Sequence, residues 1–484
     1  MSISSALSNA LSGLAASSRS AGVVSNNLAN VLTEGYAPRA IELTTRSDGH
    51  GGGVSIGSVT RNVDTVLLNE RRLADSNMAY AEPLAGFSTN LEAEIGIPGQ
   101  TGSLSDRFAR LEAAFVAASA TPEDNIRLAD IALRAGQLGE KLNTISDHIQ
   151  LERVRTDEQI EQAVGFINTK LEQIQNLNAQ IANANNAGHP NASLQDERQS
   201  AIDALAEYIP VRLTERRNGT VAIYTPGGAV LVDGKPATFS FTASNLIEPH
   251  MTVENGLISS LEVNGVTVAA SGDRSPVSGG RLSALFEVRD ELSVAAQSEI
   301  DAIARNLIER FQQPALDPTA MPSDPGLFTD GGAFFVASNE VGLAGRISVN
   351  AAVDPEKGGD LWRIRDGLGA LAAGPAGNGS LLNAFKDALT DFNAMASGGL
   401  GATQRSLDGH IASLVSKVSH DRLTVEENLS FATAQQASLV EIELQNGVDS
   451  DAELQRLLLI EQAYGANARM IQTVEDLLDT LLRI

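Results

Sequence analysis

The chain has 484 residues, 43% hydrophobic and only 4% aromatic, with no cysteine and a formal net charge of -25. That length exceeds one ordinary core and points to several domains. The acidity excludes nucleic acid and anionic membrane as partners, since both require clustered Lys and Arg. The lack of cysteine excludes disulfides, thiolate metal sites and thiol nucleophiles.

At the N-terminus Ile3, Leu7, Ala10, Leu14, Ser17, Ala21, Val24, Leu28 and Val31 recur in alternating steps of four and three. This is the a/d spacing of a coiled-coil seam. The first basic residue is Arg19 and the apolar positions are spaced, so the segment does not read as a cleaved secretory signal. No run of about 18 apolar residues follows anywhere, and no membrane insertion is predicted. The helix is expected to end in Asn26, Asn27, Leu28, Ala29 and Asn30, because Asn side chains bond backbone groups where a helix terminates. Gly35 permits positive φ, and Tyr36 is placed to pack back on the helix. The Gly-rich stretch Asp48-Gly49-His50-Gly51-Gly52-Gly53 is a flexible connector, since no Gly-Lys-Ser/Thr follows it to hold phosphate.

No proline occurs between Pro122 and Pro190. Ile131, Leu138, Leu142, Ile145 and Ile149 keep heptad steps, and Ile160, Val164, Ile167, Leu171, Ile174 and Ile181 resume them. The step from Ile149 to Ile160 is a stutter that relaxes left-handed supercoiling. One or two long helices are predicted here, with Gly136–Gly139 as a possible break, then a further helix over Asp196–Tyr208. Residues 209–274 change character. Short apolar runs are punctuated by Gly219, Gly227-Gly228, Asp233-Gly234, Asn255-Gly256 and Asn264-Gly265, the composition of tight hairpins.

Helix is predicted to resume over Gly280–Gln313, followed by a Pro- and Asp-rich loop to Asp330 and a partly β stretch over Ala333–Val353. Looser helices are expected at 356–372 and 380–396, and one long helix over Arg405–Gln445. After the turn Asn446–Ser450, Leu457, Ile460, Tyr464, Asn467, Ile471, Val474, Leu478 and Leu481 form a second terminal seam. The fold class read from this pattern is mainly α with an inserted small antiparallel β domain. The expected shape is an elongated, nested multi-domain rod with paired N- and C-terminal coiled-coil helices. Its units are a terminal helical domain (1–60 and 446–484), a long-helix domain (61–208 and 275–445, with minor β near 327–353) and an inserted β domain (209–274).

The run Ser25-Asn26-Asn27-Leu28-Ala29-Asn30-Val31-Leu32-Thr33-Glu34-Gly35-Tyr36 resembles the N-terminal signature of flagellar rod, hook and hook-associated axial proteins, roughly S-x-N-(I/L)-A-N-x-N-T-x-G-Y. Leu32 stands where that group usually has Asn, and Glu34 where Pro is common. At the other end Glu461–Ala468, Ile471-Gln472-Thr473 and Leu477–Leu482 look like the terminal helix of the same group. Gly279–Asp290, Leu177–Ile181 with Leu194–Arg198, and Asn446–Asp449 resemble segments of the hook-associated protein 1 family. The resemblance implies a structural subunit joining hook to filament, exported by the flagellar type III route and assembled extracellularly by packing of its terminal helices. It implies self-assembly, the hook protein, hook-associated protein 3 and an export chaperone near the C-terminus as partners. Another axial protein (hook or distal rod) and a non-flagellar coiled-coil scaffold are the alternatives.

No catalytic, cofactor-binding or metal-binding residue is predicted. His50, His148, His189, His250, His410 and His420 show no ligand spacing. Ser58 and Ser380 sit in no GxSxG elbow, and the acidic loop Asp317–Asp330 lacks the calcium-loop order. The residues expected to carry function are therefore packing residues: Ile3, Leu7, Leu14, Val24, Leu457, Ile460, Tyr464, Ile471, Val474, Leu478 and Leu481, with the signature Asn26 to Tyr36 between helix and body.

Overall fold

A computed structural model of the chain describes residues 3–33, 36–46, 52–272, 274–401 and 403–482. Glu34, Gly35 and the stretch from Asp48 to Gly51, His50 included, lie outside the described residues.

The predicted first seam is helix α1 (Ile3–Ala29), and the last is α11 (Ser450–Leu482). They run antiparallel: Asn27 bonds Glu453 at one end of the pair, and Gly13 meets Asn467 midway. A Cβ on Gly13 would stand 2.7 Å from the Asn467 side chain, so glycine permits the close approach. Between α1 and the body lies a hairpin, β1 (Arg39–Thr45) and β2 (Val54–Arg61), bulged between Ile41 and Leu43. It folds back along α1, where Ser12 Oγ accepts from the Val54 amide at 3.1 Å.

The body begins with α2 (Thr65–Ile95) and α3 (Leu104–Ala120), for which sequence periodicity assigned no separate elements. Asp64 and Ser103 cap them, each side-chain oxygen accepting from amides of the first turn. Next comes α4 (Asn125–Ala187), 63 residues without a break and so about 95 Å long at 1.5 Å per residue. The possible interruption at Gly136–Gly139 does not occur. Gly139 is buried, and the backbone of Ile347 passes beside it. Helix α5 (Ala192–Tyr208) folds back along α4, starting earlier than the predicted Asp196.

The β region forms two small antiparallel sheets. One orders β3 (Arg212–Glu215), β4 (Val221–Tyr224), β5 (Val230–Asp233) and β6 (Lys235–Pro236); the other orders β7 (Phe239–Ser240), β8 (Leu261–Val263) and β9 (Val266–Val268). Asn264-Gly265 makes the expected tight turn, with both residues at positive φ. Asn255-Gly256 does not join strands. Its Asn side chain accepts from the Thr252 and Leu257 amides and closes a local turn inside an irregular segment. These sheets do not bury their apolar faces alone: Ile223, Leu231 and Phe239 share one core with Ile160–Ile174 of α4, Ile202 and Leu205 of α5, and Leu282.

The predicted helix after residue 280 is α6 (Gly280–Glu287), a π-turn at Val288–Leu292, and α7 (Ser293–Phe311). Short strands β10 (Phe328–Asp330) and β11 (Ile347–Val349) pair with each other. The looser helices shrink to α8 (Arg363–Asp366), stopped by Gly367 at φ 126°, and α9 (Ser380–Thr390). Helix α10 (Leu407–Gln445) then runs antiparallel to α2, linked by Arg422–Glu92, Gln436–Asp75 and Arg71–Glu443. A second, larger core is built from Leu111, Phe115, Leu142, Ile145, Ile303, Phe311 and Phe385 with the first turns of α10. The molecule is mainly helical, 61%, with small antiparallel sheets.

The two cores meet on α4 at the stutter. Ile149 closes one and Ile160 opens the other, and between them Arg153, Thr156 and Asp157 are buried. Asp157 pairs with Arg289 on the π-turn, both side chains fully buried, and Arg289 also forks onto Asp290 at 2.7 and 2.8 Å. Arg153 donates to the backbone carbonyls of Arg289, Glu248 and Met251. Every buried charge there has a partner, as the low dielectric demands.

Candidate functional site

The signature residues gather where the terminal pair meets the body. Asn27 is fully buried at the end of α1. Its amide nitrogen donates to the Arg39 carbonyl at 2.9 Å and to Glu453 Oε1 of α11 at 3.1 Å. Its Oδ1 accepts from the Tyr36 hydroxyl at 2.8 Å and from the Arg39 amide at 3.0 Å. One side chain thus ties α1, the Tyr36 loop, β1 and α11 together and uses its full donor capacity. Asn30 does the terminating: its side chain donates back to the Asn26 carbonyl at 2.8 Å and accepts from Thr33 Oγ1 at 3.2 Å. Asn26 and Ala29 are exposed, Leu28 is half-buried, and Gly35 lies outside the described residues.

From this knot the linkage continues into the body. Arg39 stacks over the Tyr36 ring, 5.0 Å from its centroid, and pairs with Asp196 of α5 at 2.7 Å. Arg61 of β2 takes the other Asp196 oxygen at 2.8 Å and donates to Gln199 Oε1 at 2.7 Å. Burial pushes the Tyr36 hydroxyl pKa up against the pull of Arg39, and Asp196 and Glu453 add to the rise. Tyr36 therefore stays a neutral donor. Burial lowers the Arg61 pKa, and Asp196 offsets part of that. Arg39, Arg61 and Glu453 were not foreseen; partners so distant in sequence leave no periodic signal, although Asp196 lies in the quoted Leu194–Arg198 stretch.

The packing residues divide sharply. Val24 and Val474 are buried; Ile3, Leu7, Leu14, Leu457, Ile460 and Ile471 are half-buried along the pair; Tyr464, Leu478 and Leu481 are exposed. Of the 33 residues of α11, only Glu453 and Val474 are buried. Leu458, Leu459, Leu477 and Leu481 stand open to solvent, Leu459 at 66% exposure. A single chain gives each terminal helix a mate but leaves α11 with a bare apolar flank. Among the described residues, no group of three or more His, Asp or Glu could hold a metal ion, and no helix is long and apolar enough to cross a membrane.

Comparison with known proteins matches the helical body and the C-terminal helix. The family pattern described as the flagellar hook-associated protein FlgK helical domain matches residues 90–315, and that of the flagellar basal body rod FlgEFG protein C-terminal matches residues 445–484. Flagellar hook-associated protein 1 of Bacillus subtilis is 23% identical over 98% of this chain and 97% of its own length. The protein of that name from Escherichia coli is 23% identical over 100% of both. The solved flagellar hook junction protein FlgK from Burkholderia pseudomallei shares 20% identity, covers 55% of this chain and 47% of its own, and superposes with a TM-score of 0.45. With the helical body matched from residue 90 to 315, the terminal helix matched from 445, and full-length relatives sharing one name, the chain is similar along its whole length to flagellar hook-associated protein 1, a structural flagellar protein.

Proposed function

We propose that this chain is a structural subunit of the junction between flagellar hook and filament, and that it assembles there by burying its terminal helices against those of neighbouring copies. The observation that carries this is the exposed apolar flank of α11, on a helix that buries two of its 33 residues. Burying an aliphatic side chain is worth about 1.5–3 kcal/mol, so a flank of this size favours association with further helices. The knot at Asn27 fixes the angle of the terminal pair to the body, which a lattice subunit needs in order to place its outer surfaces. On this reading the chain leaves the cell by the flagellar export route. It meets the hook protein on one side and hook-associated protein 3 on the other, and an export chaperone covers its C-terminal region beforehand.

Leu478→Asp tests the proposal. The variant body should keep its circular dichroism and thermal midpoint, while cells carrying it should make hooks without filaments and shed flagellin into the medium. Filaments of normal number and length on those cells would overturn it.

A further inference from the structure

The knot at Asn27 makes α1, the Tyr36 loop, β1 and α11 one unit. The chain joins that unit to the body through two short tethers, residues 62–64 ahead of α2 and residues 446–449 ahead of α11. Two tethers alone leave a rotation about the line through them, so a fixed orientation needs a further attachment. Strand β2 makes one by packing on α5. There Arg39 and Arg61 stand directly opposite each other across the β1–β2 ribbon. Like charges in that position repel. Both guanidiniums turn onto Asp196, Arg39 on one carboxylate oxygen at 2.7 Å and Arg61 on the other at 2.8 Å. Without that carboxylate Arg39 keeps the Tyr36 ring and Arg61 keeps Gln199, and neither contact supplies a counter-charge.

Helix α5 is itself held firmly. The stretches 177–181 and 194–198, which the sequence singles out, meet through Arg198, whose Nη1 donates to Asn178 Oδ1 at 2.8 Å and to the Gly219 carbonyl at 2.7 Å. Asn178 in turn bonds both backbone groups of Val221. Asp203 lies seven residues beyond Asp196, within about 20° of it around the helix. It takes Arg71 and Arg72 of α2 at 2.8 and 2.6 Å. One face of α5 thus presents two carboxylates with separate tasks. Asp203 binds α5 to the body, and Asp196 receives the terminal unit.

We infer that Asp196 is the positioning residue that sets the orientation of the terminal unit on the body, and that its loss lets the unit swing while both parts stay folded. The consequence for assembly rests on the junction reading and deepens it, because a lattice subunit has to present its terminal helices and its body at one angle.

The cysteine-free chain carries a pair of spin labels without interference. Ser18→Cys on α1 and Ala179→Cys on α4, both exposed, report the distance between unit and body in the full-length purified chain by double electron–electron resonance. The distance distribution should be narrow with Asp196 present and broaden about twofold or more in Asp196→Ala, with the thermal midpoint of the body unchanged. Asp196→Glu keeps the charge and should recover most of the narrow distribution. Arg39→Gln with Arg61→Gln should broaden it as Asp196→Ala does, and adding Asp196→Ala to that pair should change nothing further. A distribution that stays narrow in Asp196→Ala, whether or not the midpoint falls, would overturn the assignment, as would broadening that adds up across the three substitutions. In cells, Asp196→Ala should reduce filament number. Normal filaments from a variant whose distribution is broad would overturn the role in assembly and leave the junction reading intact. Failure of the junction reading itself would show separately, as normal filaments from Leu478→Asp.

Discussion

The body and the terminal pair use the same raw material, long amphipathic helices, to opposite ends. In the body, α4 buries its seam completely, from Leu128 through Ile145 to Ile181, because α3, α5, α7 and the sheets cover it. In the terminal pair, α11 carries an equally regular seam and buries Val474 alone among its apolar residues. A heptad pattern therefore states which residues seek cover and not whether one chain can supply it. The body covers the α4 seam by itself, while α11 keeps an uncovered flank in the single chain.

Breaking the self-sufficient region should have the largest effect. Asp157→Ala removes one of the two carboxylates on the fully buried Arg289 guanidinium and leaves its Nη1 without an acceptor, and removing one partner of a buried pair costs about 3–5 kcal/mol. Urea unfolding should show that loss, and a change below about 1 kcal/mol would mean that Asp290 alone satisfies Arg289. Asp301 comes next. Burial pushes its pKa up to about 6, against hydrogen bonds from the Ala344 and Gly342 amides and Gln297. Because the folded value lies above the ordinary 3.8, stability is full below about pH 4 and is lost as the pH rises through 6. Asp301→Asn should abolish that slope. It also turns an amide against one of the two backbone donors, at a cost of about 1–3 kcal/mol in stability. Thermal melts of both forms from pH 4 to 7 read both effects.

Perturbing the joint should act locally. Asn27→Ala leaves the Tyr36 hydroxyl without its partner and removes the bond from α1 to Glu453, and limited proteolysis should then release α1 and α11 faster while the body's thermal midpoint stays within about 1 °C of wild type. A fall of the whole transition would show that pair and body unfold as one unit. The smallest effect is expected on the open flank: Leu458→Ser should change the stability of the purified chain by less than about 0.5 kcal/mol, as exposed sites do. A larger loss would place Leu458 inside the single chain's own packing and sharpen the boundary between the two regions.

Sequence and structure meet most closely where spacing is regular. The two terminal helices, helical structure between Pro122 and Pro190, the Asn264-Gly265 hairpin and the final turn could be read from the sequence, since period and turn chemistry are local. The stutter between Ile149 and Ile160 could also be read as a break in register. Its content could not: it is the place where one core hands over to another across buried Arg153 and Asp157. Helix α2 escaped notice with Pro83 inside it, and the β1–β2 ribbon has mostly exposed strands and so little alternation to detect.

By itself the sequence determined most of the long helical segments and that both ends carry seams. Those are properties of neighbours a few residues apart. Tertiary structure alone decided that Asn27 binds Glu453 across the whole length of the chain and that Arg39 and Arg61 share Asp196. It also decided that α11 stays bare along one flank. Such features depend on which surfaces the fold brings together and which it leaves uncovered, and spacing along a single helix does not encode that.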